Sequence, residues 1–340
     1  MIHGHGNEIF NLPSAIKADF SSNIWYKGAS EEICIVLTQH IANIGNYPEP
    51  DAYSLKNKIA SYFNLKDDNV IVANGSTEAF YLIAHAFAGK KSIIICPSFA
   101  EYFDACQMHH HQIAQIKNTS GWQSLRFENQ IVWFGNPNNP DGKTITLAEI
   151  ASMLKNNPSS VFILDEAYIE LCYAAETAIP LLAEYSNLII VRSFTKAFSI
   201  PGLRLGFILS SKKITDKIKL FIMPWNVNSL AIAAGVHIMG HYDRLIPDKK
   251  IIRKESVELQ KELGKIKKLK VYPSDCNFFM VESLSKPASE LKEFLVKEFG
   301  ILIRDASNFK ELDSSFFRIA IQKPDMNKIL VKGIKYWLQL

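Results

Sequence analysis

Polar clusters able to bind an anion or handle a proton recur in this chain, each directly after a short apolar run. After Val70-Ile71-Val72-Ala73 comes Asn74-Gly75-Ser76-Thr77-Glu78, leading into the helical Ala79-Phe80-Tyr81-Leu82-Ile83-Ala84. Small residues opening a helix leave backbone N–H groups unsatisfied, and those groups together with the helix dipole make an anion site. After Ile131-Val132-Trp133-Phe134 comes Gly135-Asn136-Pro137-Asn138-Asn139-Pro140-Asp141-Gly142. After Val161-Phe162-Ile163-Leu164 comes Asp165-Glu166-Ala167-Tyr168. After Leu188-Ile189-Ile190-Val191 comes Arg192-Ser193-Phe194-Thr195-Lys196, followed by Pro201-Gly202-Leu203-Arg204-Leu205-Gly206. Any one of these is an ordinary cap, turn or surface loop. The ordered set puts polar groups at the carboxyl ends of several strands, where open α/β sheets bind their ligands.

The elements that must position these groups read as βα units. The apolar runs, with Ser92-Ile93-Ile94-Ile95-Cys96 among them, are continuous rather than alternating. Strands covered by helices on both faces have that texture, so the expected class is α/β with a mostly parallel central sheet. Gly206-Phe207-Ile208-Leu209 follows Lys196 too closely for a crossover helix and is expected to run antiparallel. After about residue 240 charged amphipathic helices appear, over Ile251 to Lys265 and Ala288 to Phe299, with strand-like segments at 277–281 and 317–321 and a closing helix from Met326 to Leu340. This reads as an N-terminal arm (1–45) packing with a small α+β domain (241–340), and a large domain (46–240) between them.

Composition sets the class. The 340 residues are 48% apolar and 21% charged, enough to bury a large core, which excludes disordered and fibrous chains. A net charge of +4 without a dense basic run leaves no nucleic-acid footprint; Lys265-Ile266-Lys267-Lys268 reads as a solvated helix end. No apolar stretch is long enough to span a bilayer, and residues 1–7 lack the blocks of a secretory signal. The five cysteines are scattered without CxxC spacing, which argues for a reducing compartment and against a zinc site; a cytoplasmic protein without membrane or nucleic-acid partners is expected. His109-His110-His111 reads as a solvated turn or helix end rather than a metal site.

The order Asn139-Pro140-x-Gly142, Asp165-x-Ala167-Tyr168, Ser193-x-Thr195-Lys196, Arg204-x-Gly206 resembles the fold-type I pyridoxal-phosphate enzymes of the aspartate aminotransferase superfamily, over nearly the whole chain. The resemblance implies the fold of that group, a large domain with a mostly parallel sheet plus a smaller α+β domain, and pyridoxal 5'-phosphate as cofactor. It implies Lys196 as the Schiff-base lysine and proton shuttle, and Asp165 as the carboxylate keeping the pyridine nitrogen protonated. Asn139 and Tyr168 would contact the ring's phenolic oxygen, with Tyr168 counted beside Lys196 and Asp165 as catalytic. Gly75, Ser76, Thr77, Ser193, Thr195 and Arg204 would hold the phosphate, and Phe99 would stack on the ring. Tyr47, in Asn46-Tyr47-Pro48-Glu49-Pro50, resembles a tyrosine that reaches the neighbouring subunit's phosphate, which implies a homodimer with shared sites.

Arg318 matches the family arginine that grips a substrate carboxylate, and Arg304 suggests a second anion on the substrate. The branch most resembled contains the histidinol-phosphate aminotransferases and the L-threonine-O-3-phosphate decarboxylases of cobalamin biosynthesis. Residues His3-Gly4-His5-Gly6-Asn7, Asp19-Phe20-Ser21-Ser22-Asn23-Ile24 and Arg304-Asp305-x-Ser307-Asn308-Phe309 look like the decarboxylase. Trp25-Tyr26 departs from the Asn-Pro that usually follows. The resemblance places His3, Gly4, Ser22, Asn23, Asn139, Arg304 and Arg318 around a small phosphorylated amino acid. Decarboxylation of L-threonine O-3-phosphate to (R)-1-amino-2-propanol phosphate is the expected reaction, with transamination of histidinol phosphate or a related amino acid by 2-oxoglutarate as the alternative. The two differ in which Cα bond is held perpendicular to the cofactor ring. A non-catalytic pyridoxal-phosphate sensor, which resembles this fold joined to a DNA-binding domain, is the third reading.

Overall fold

A computed structural model describes Gly6, Leu12, residues 15–119 and residues 121–339. Seven strands form the main sheet: β1 (Val70–Ala73), β2 (Lys91–Cys96), β3 (Gln112–Lys117), β4 (Ile131–Gly135), β5 (Val161–Asp165), β6 (Leu188–Ser193) and β7 (Gly206–Ser210). Their order across the sheet is β1-β7-β6-β5-β4-β2-β3. Every pairing is parallel except those of β7, which runs antiparallel to both β1 and β6, as its short connection requires.

The continuous apolar runs are explained by two cores, one on each face of the sheet. Alternate residues of each strand enter different cores: Ile93, Val132 and Ile190 face one, while Ile94, Trp133 and Ile189 face the other. The helices Gly75–Ala86 and Ala100–Met108 cover the second face, and Leu147–Asn156 and Ser229–Gly240 cover the first. The edge strand β3 has no counterpart among the sequence-derived strands. Its residues are only partly buried, and Gln112, Gln115 and Lys117 dilute the apolar signal that marked the central strands.

A four-stranded antiparallel sheet follows, formed by β8 (Leu269–Val271), β9 (Phe278–Ser283), β10 (Arg304–Asp305) and β11 (Phe316–Ala320) in the order β10-β11-β9-β8. Helices Lys249–Gly264, Ala288–Phe299 and Pro324–Trp337 accompany it. The N-terminal segment is threaded into this part of the chain: Ala18 and Asp19 pair in parallel with Ile301 and Leu302, and Phe20 bonds Leu302 and Ala320 through its backbone. That threading delivers Ser21, Ser22 and Asn23 to the carboxyl ends of β4, β5 and β6.

Candidate active site

Parallel strands end together, so side chains just past β4, β5 and β6 meet even though they are distant in sequence. Here they meet in a cavity of about 550 Å³, lined by Asn139, Tyr168, Lys196, Arg204, Arg304 and Arg318 among others. Phe99, Thr195 and Ser22 also line it. Asp165 is buried at the end of β5.

The Lys196 amine donates to the Ser22 carbonyl at 3.0 Å. Burial, then the nearby Arg318 and Arg204 guanidiniums, lower its pKa to about 8. The amine is therefore partly neutral near physiological pH, the state in which nitrogen is a nucleophile or base. Burial raises the Asp165 carboxyl to about 6. Two donors hold it below neutrality: the Tyr102 hydroxyl at 2.5 Å and the Ala167 N–H at 2.9 Å, with Lys196 adding a favourable charge.

Of the residues expected to hold a phosphate, Gly75 and Arg204 come into close contact. Gly75 has φ +82°, and a Cβ there would lie 2.5 Å from Arg204 Nη2. A Cβ on Gly206 would lie 2.7 Å from the Ser76 nitrogen. Both glycines are dictated by close approach, which packs the Arg204 guanidinium against the first turn of the helix Gly75–Ala86. The cap residue Asn74 makes no side-chain bond to that turn. Thr195 N–H bonds Ser193 Oγ at 3.2 Å, so the two hydroxyl residues form one short loop. Arg204 and Thr195 line the cavity, whereas Gly75, Ser76, Thr77 and Ser193 are not among its lining residues.

At the opposite wall Arg318 donates to Asn139 Oδ1 and to the Ser21 carbonyl, and its Nε is buried without a partner. Burial, with Arg304 adding repulsion, lowers its pKa to about 10. Arg304 is buried rather than paired with Asp305 at the surface; its Nη2 donates to Asn308 Oδ1 at 2.6 Å. Asn23 is fully buried with φ +56°, and neither polar atom of its amide has a hydrogen-bond partner of good geometry. Tyr168 is buried, its ring edge-on to Phe278 at 4.8 Å.

Other expectations fall elsewhere. His3 and Gly4 lie outside the described residues. Tyr47 is 83% exposed, its ring tilted against Trp225 at 4.9 Å, and does not line the cavity of its own chain. The reading of the histidine run as solvated needs correction at one position: His111 is buried, bonded to Ser92 Oγ at 2.7 Å and to the Ala84 carbonyl at 2.8 Å. Among the described residues no group of three His, Cys, Asp or Glu could hold a metal ion, and no helix is long and apolar enough to cross a membrane.

Sequence reasoning passed over Tyr102, the Ser21 and Ser22 carbonyls, and a buried ionic cluster behind the site. In that cluster Arg192 bonds Glu166 at 3.1 Å, and also Glu170 and the Tyr242 hydroxyl. Tyr102 carried one available signal, its place three residues after Phe99 on one helix face. The carbonyls carried none, because every residue has one.

These residues fit pyridoxal phosphate. The Arg204 guanidinium packs against the first turn of a helix where Gly75 leaves no room for a Cβ, a buried carboxylate accompanies a lysine of lowered pKa, and Phe99 lines the same cavity as that lysine. Comparisons with known proteins agree. The model of the aminotransferase class I and II family matches residues 15–334. A Caldanaerobacter subterraneus subsp. tengcongensis protein provisionally named a threonine-phosphate decarboxylase is 33% identical over 97% of this chain and 93% of its own. The histidinol-phosphate aminotransferase of the same organism is also 33% identical, over 96% of this chain and 94% of its own. The crystal structure of L-threonine-O-3-phosphate decarboxylase from Porphyromonas gingivalis superposes with a TM-score of 0.92 at 35% identity, covering 94% of this chain and 99% of that one.

Proposed function

The chain belongs to the aminotransferase class I and II family and is a pyridoxal-phosphate-dependent enzyme; within that family we propose that it decarboxylates L-threonine O-3-phosphate to (R)-1-amino-2-propanol phosphate, a step of cobalamin biosynthesis. One observation carries this reading. Arg304 and Arg318 are direct partners across an antiparallel pair, both buried, in a cavity shared with Lys196. Two adjacent guanidiniums suit a small substrate whose carboxylate and phosphate lie a few bonds apart.

Arg318 would hold the α-carboxylate, oriented by Asn139 and the Ser21 carbonyl, and Arg304 the phosphate, oriented by Asn308. Ser22 and Gly6 also line this cavity and would shield the substrate from water. On the cofactor side, Arg204, the N–H groups of Ser76 and Thr77, and the hydroxyls of Ser193 and Thr195 would hold the phosphate. Asp165 would hold the ring nitrogen, Asn139 and Tyr168 the phenolic oxygen, and Phe99 the ring face. Bound pyridoxal phosphate supplies an electron sink for the pair left at Cα when CO₂ departs. The Lys196 ammonium would then deliver a proton from Nζ to Cα and be left as the neutral amine, a change its lowered pKa favours.

We read the molecule as a homodimer with shared sites. Tyr47 is exposed beside the half-exposed Trp225, an aromatic pair that suits contact with a second copy. The domain reading (1–45, 46–240, 241–340) is supported by the separate seven-stranded and four-stranded sheets and by the pairing of residues 18–19 with 301–302.

The test is to incubate the holoenzyme with L-threonine O-3-phosphate and measure CO₂ and the amino-alcohol phosphate. Glutamate formed from histidinol phosphate and 2-oxoglutarate, without CO₂ from threonine phosphate, establishes the aminotransferase reading instead. The equal identity to a histidinol-phosphate aminotransferase is what keeps that arm in the experiment.

A further inference from the structure

The cavity explains most of the polar groups near it, but not the hydroxyl of Tyr102. Tyr102 is buried on the helix Ala100–Met108, one turn after Phe99. Its ring is locked on three sides: edge-on to Phe80 at 4.9 Å, edge-on to Phe99 at 5.9 Å, and stacked with Trp133 at 6.1 Å. A phenylalanine would fill that space equally well. The hydroxyl reaches past this apolar packing to a single acceptor, Asp165 Oδ2, at 2.5 Å. The other oxygen, Oδ1, accepts from the Ala167 N–H of the same loop. The carboxylate is thus clamped from both sides before any ligand arrives.

We propose that Tyr102 is a positioning residue for the cofactor ring: its hydroxyl fixes the rotamer of Asp165 and keeps that buried carboxylate ionised, so that it can hold the protonated pyridine nitrogen. The proposal rests on the reading of Asp165 as the ring-nitrogen partner. A carboxylate in an apolar pocket favours its neutral form unless donors stabilise the charge. The groups facing Asp165 are few. They are Tyr102 from the helix Ala100–Met108, Lys196 from the loop after β6, and Tyr168 with the Ala167 N–H from its own loop. Tyr168 adds no favourable charge, and Lys196 is itself partly neutral near pH 8. The Tyr102 hydroxyl is the side-chain donor bonded directly to Asp165, and it keeps its proton throughout, because burial and Asp165 push its own pKa well above the phenol value. One turn of helix would in this way serve two faces of the cofactor, with Phe99 on the ring plane and Tyr102 behind its nitrogen.

The test is the pH dependence of pyridoxal-phosphate affinity, titrated into the cofactor-free full-length chain and read by visible absorbance. Wild type, Asp165→Asn, Tyr102→Phe, and a chain carrying 3,5-difluorotyrosine at position 102 alone are compared. The difference between the wild-type and Asp165→Asn profiles isolates the contribution of Asp165, which weakens as pH falls through about 6. In Tyr102→Phe that acid limb moves up by about one pH unit, the size expected for losing one charge-assisted hydrogen bond, while the urea midpoint changes little. The difluorotyrosine, a stronger donor of nearly the same shape, moves the limb down. A limb that stays in place with both Tyr102 substitutions overturns the proposal. Coincident wild-type and Asp165→Asn profiles overturn instead the reading of Asp165 beneath it, and the two failures are distinct.

Discussion

Arg304 and Arg318 sit directly opposite each other across the β10–β11 ladder, two buried guanidiniums on one face of a small antiparallel sheet. Like charges in that position repel and destabilise the pair. Burial and this repulsion are why the Arg318 pKa falls to about 10. A site that brings two buried cations side by side suits an anionic ligand.

The first prediction follows from that repulsion. Arg304→Met raises the thermal stability of the cofactor-free protein, because it removes one of two opposed buried charges. The same change raises KM for threonine phosphate by about 100-fold, the cost of losing a charge-assisted contact. Steady-state kinetics with a melting curve on one preparation measure both. Arg304→Lys recovers only part of the affinity, because an ammonium cannot make the bidentate fork.

Gly75→Ala is expected to disable the phosphate cradle while leaving the fold standing. The added Cβ lands on the Arg204 guanidinium, 2.5 Å from Nη2, and the backbone there has φ +82°. The left-handed conformation alone costs an alanine about 1–2 kcal/mol. Displacing Arg204 should weaken pyridoxal-phosphate binding by about 100-fold, read by equilibrium dialysis, with the far-ultraviolet circular dichroism unchanged.

Lys196 makes stability depend on alkaline pH. Its pKa is about 8 in the folded chain against an ordinary lysine value of 10.5, so the unfolded chain binds more protons between those values. Stability of the cofactor-free protein therefore rises as pH goes from 8 towards 10.5 through this group. Lys196→Met abolishes that rise and stabilises the cofactor-free chain by about 2 kcal/mol at pH 7. Asp165 acts with the opposite sign at acid pH. Its folded pKa, about 6, lies above the ordinary aspartate value of 3.8, so its contribution falls as pH rises between them, and Asp165→Asn removes that slope. Urea titrations at several pH values separate the two.

Behind the site, Glu166→Ala should be among the most damaging substitutions. Glu166 is fully buried, bonds Arg192, and accepts from the Ala178 N–H at 2.6 Å and the Thr177 hydroxyl at 2.7 Å. Removing it takes one of two carboxylates from the buried Arg192 guanidinium, leaving Glu170, and leaves the Ala178 N–H without its acceptor, at a cost of about 3–5 kcal/mol. The urea midpoint should fall accordingly, and cofactor affinity with it, because Glu166 is the immediate neighbour of Asp165.

Exposed Tyr47 gives the assembly a measurable test. Sedimentation should give twice the mass of the 38.4 kDa chain. Tyr47→Phe should leave that mass unchanged but weaken pyridoxal-phosphate binding several-fold, since a hydroxyl donated from the second copy would be lost. A monomer with wild-type cofactor affinity would remove Tyr47 from the site.

What the sequence determined by itself is local. Val70–Ala73, Ile131–Phe134, Val161–Leu164 and Leu188–Val191 are legible as central strands, because residues buried on both faces must be apolar without a break. The loops that follow them are legible as the site, because parallel strands can only end side by side. Gly75 and Gly206 are legible as glycines at a turn, and Lys196 as the lysine in that set. The tertiary structure alone decided which groups then touch. Arg304 opposite Arg318 is a matter of register, and register is fixed by how distant segments pair rather than by the composition of either one. The Ser22 carbonyl on Lys196 and the Tyr102 hydroxyl on Asp165 join positions 174 and 63 residues apart. The half-exposed edge strand β3 was invisible for the complementary reason, since periodicity reports burial and an edge is buried too little to write a pattern. Apolar spacing tells each segment which way to face; only the folded packing tells a hydroxyl which carboxylate it will meet.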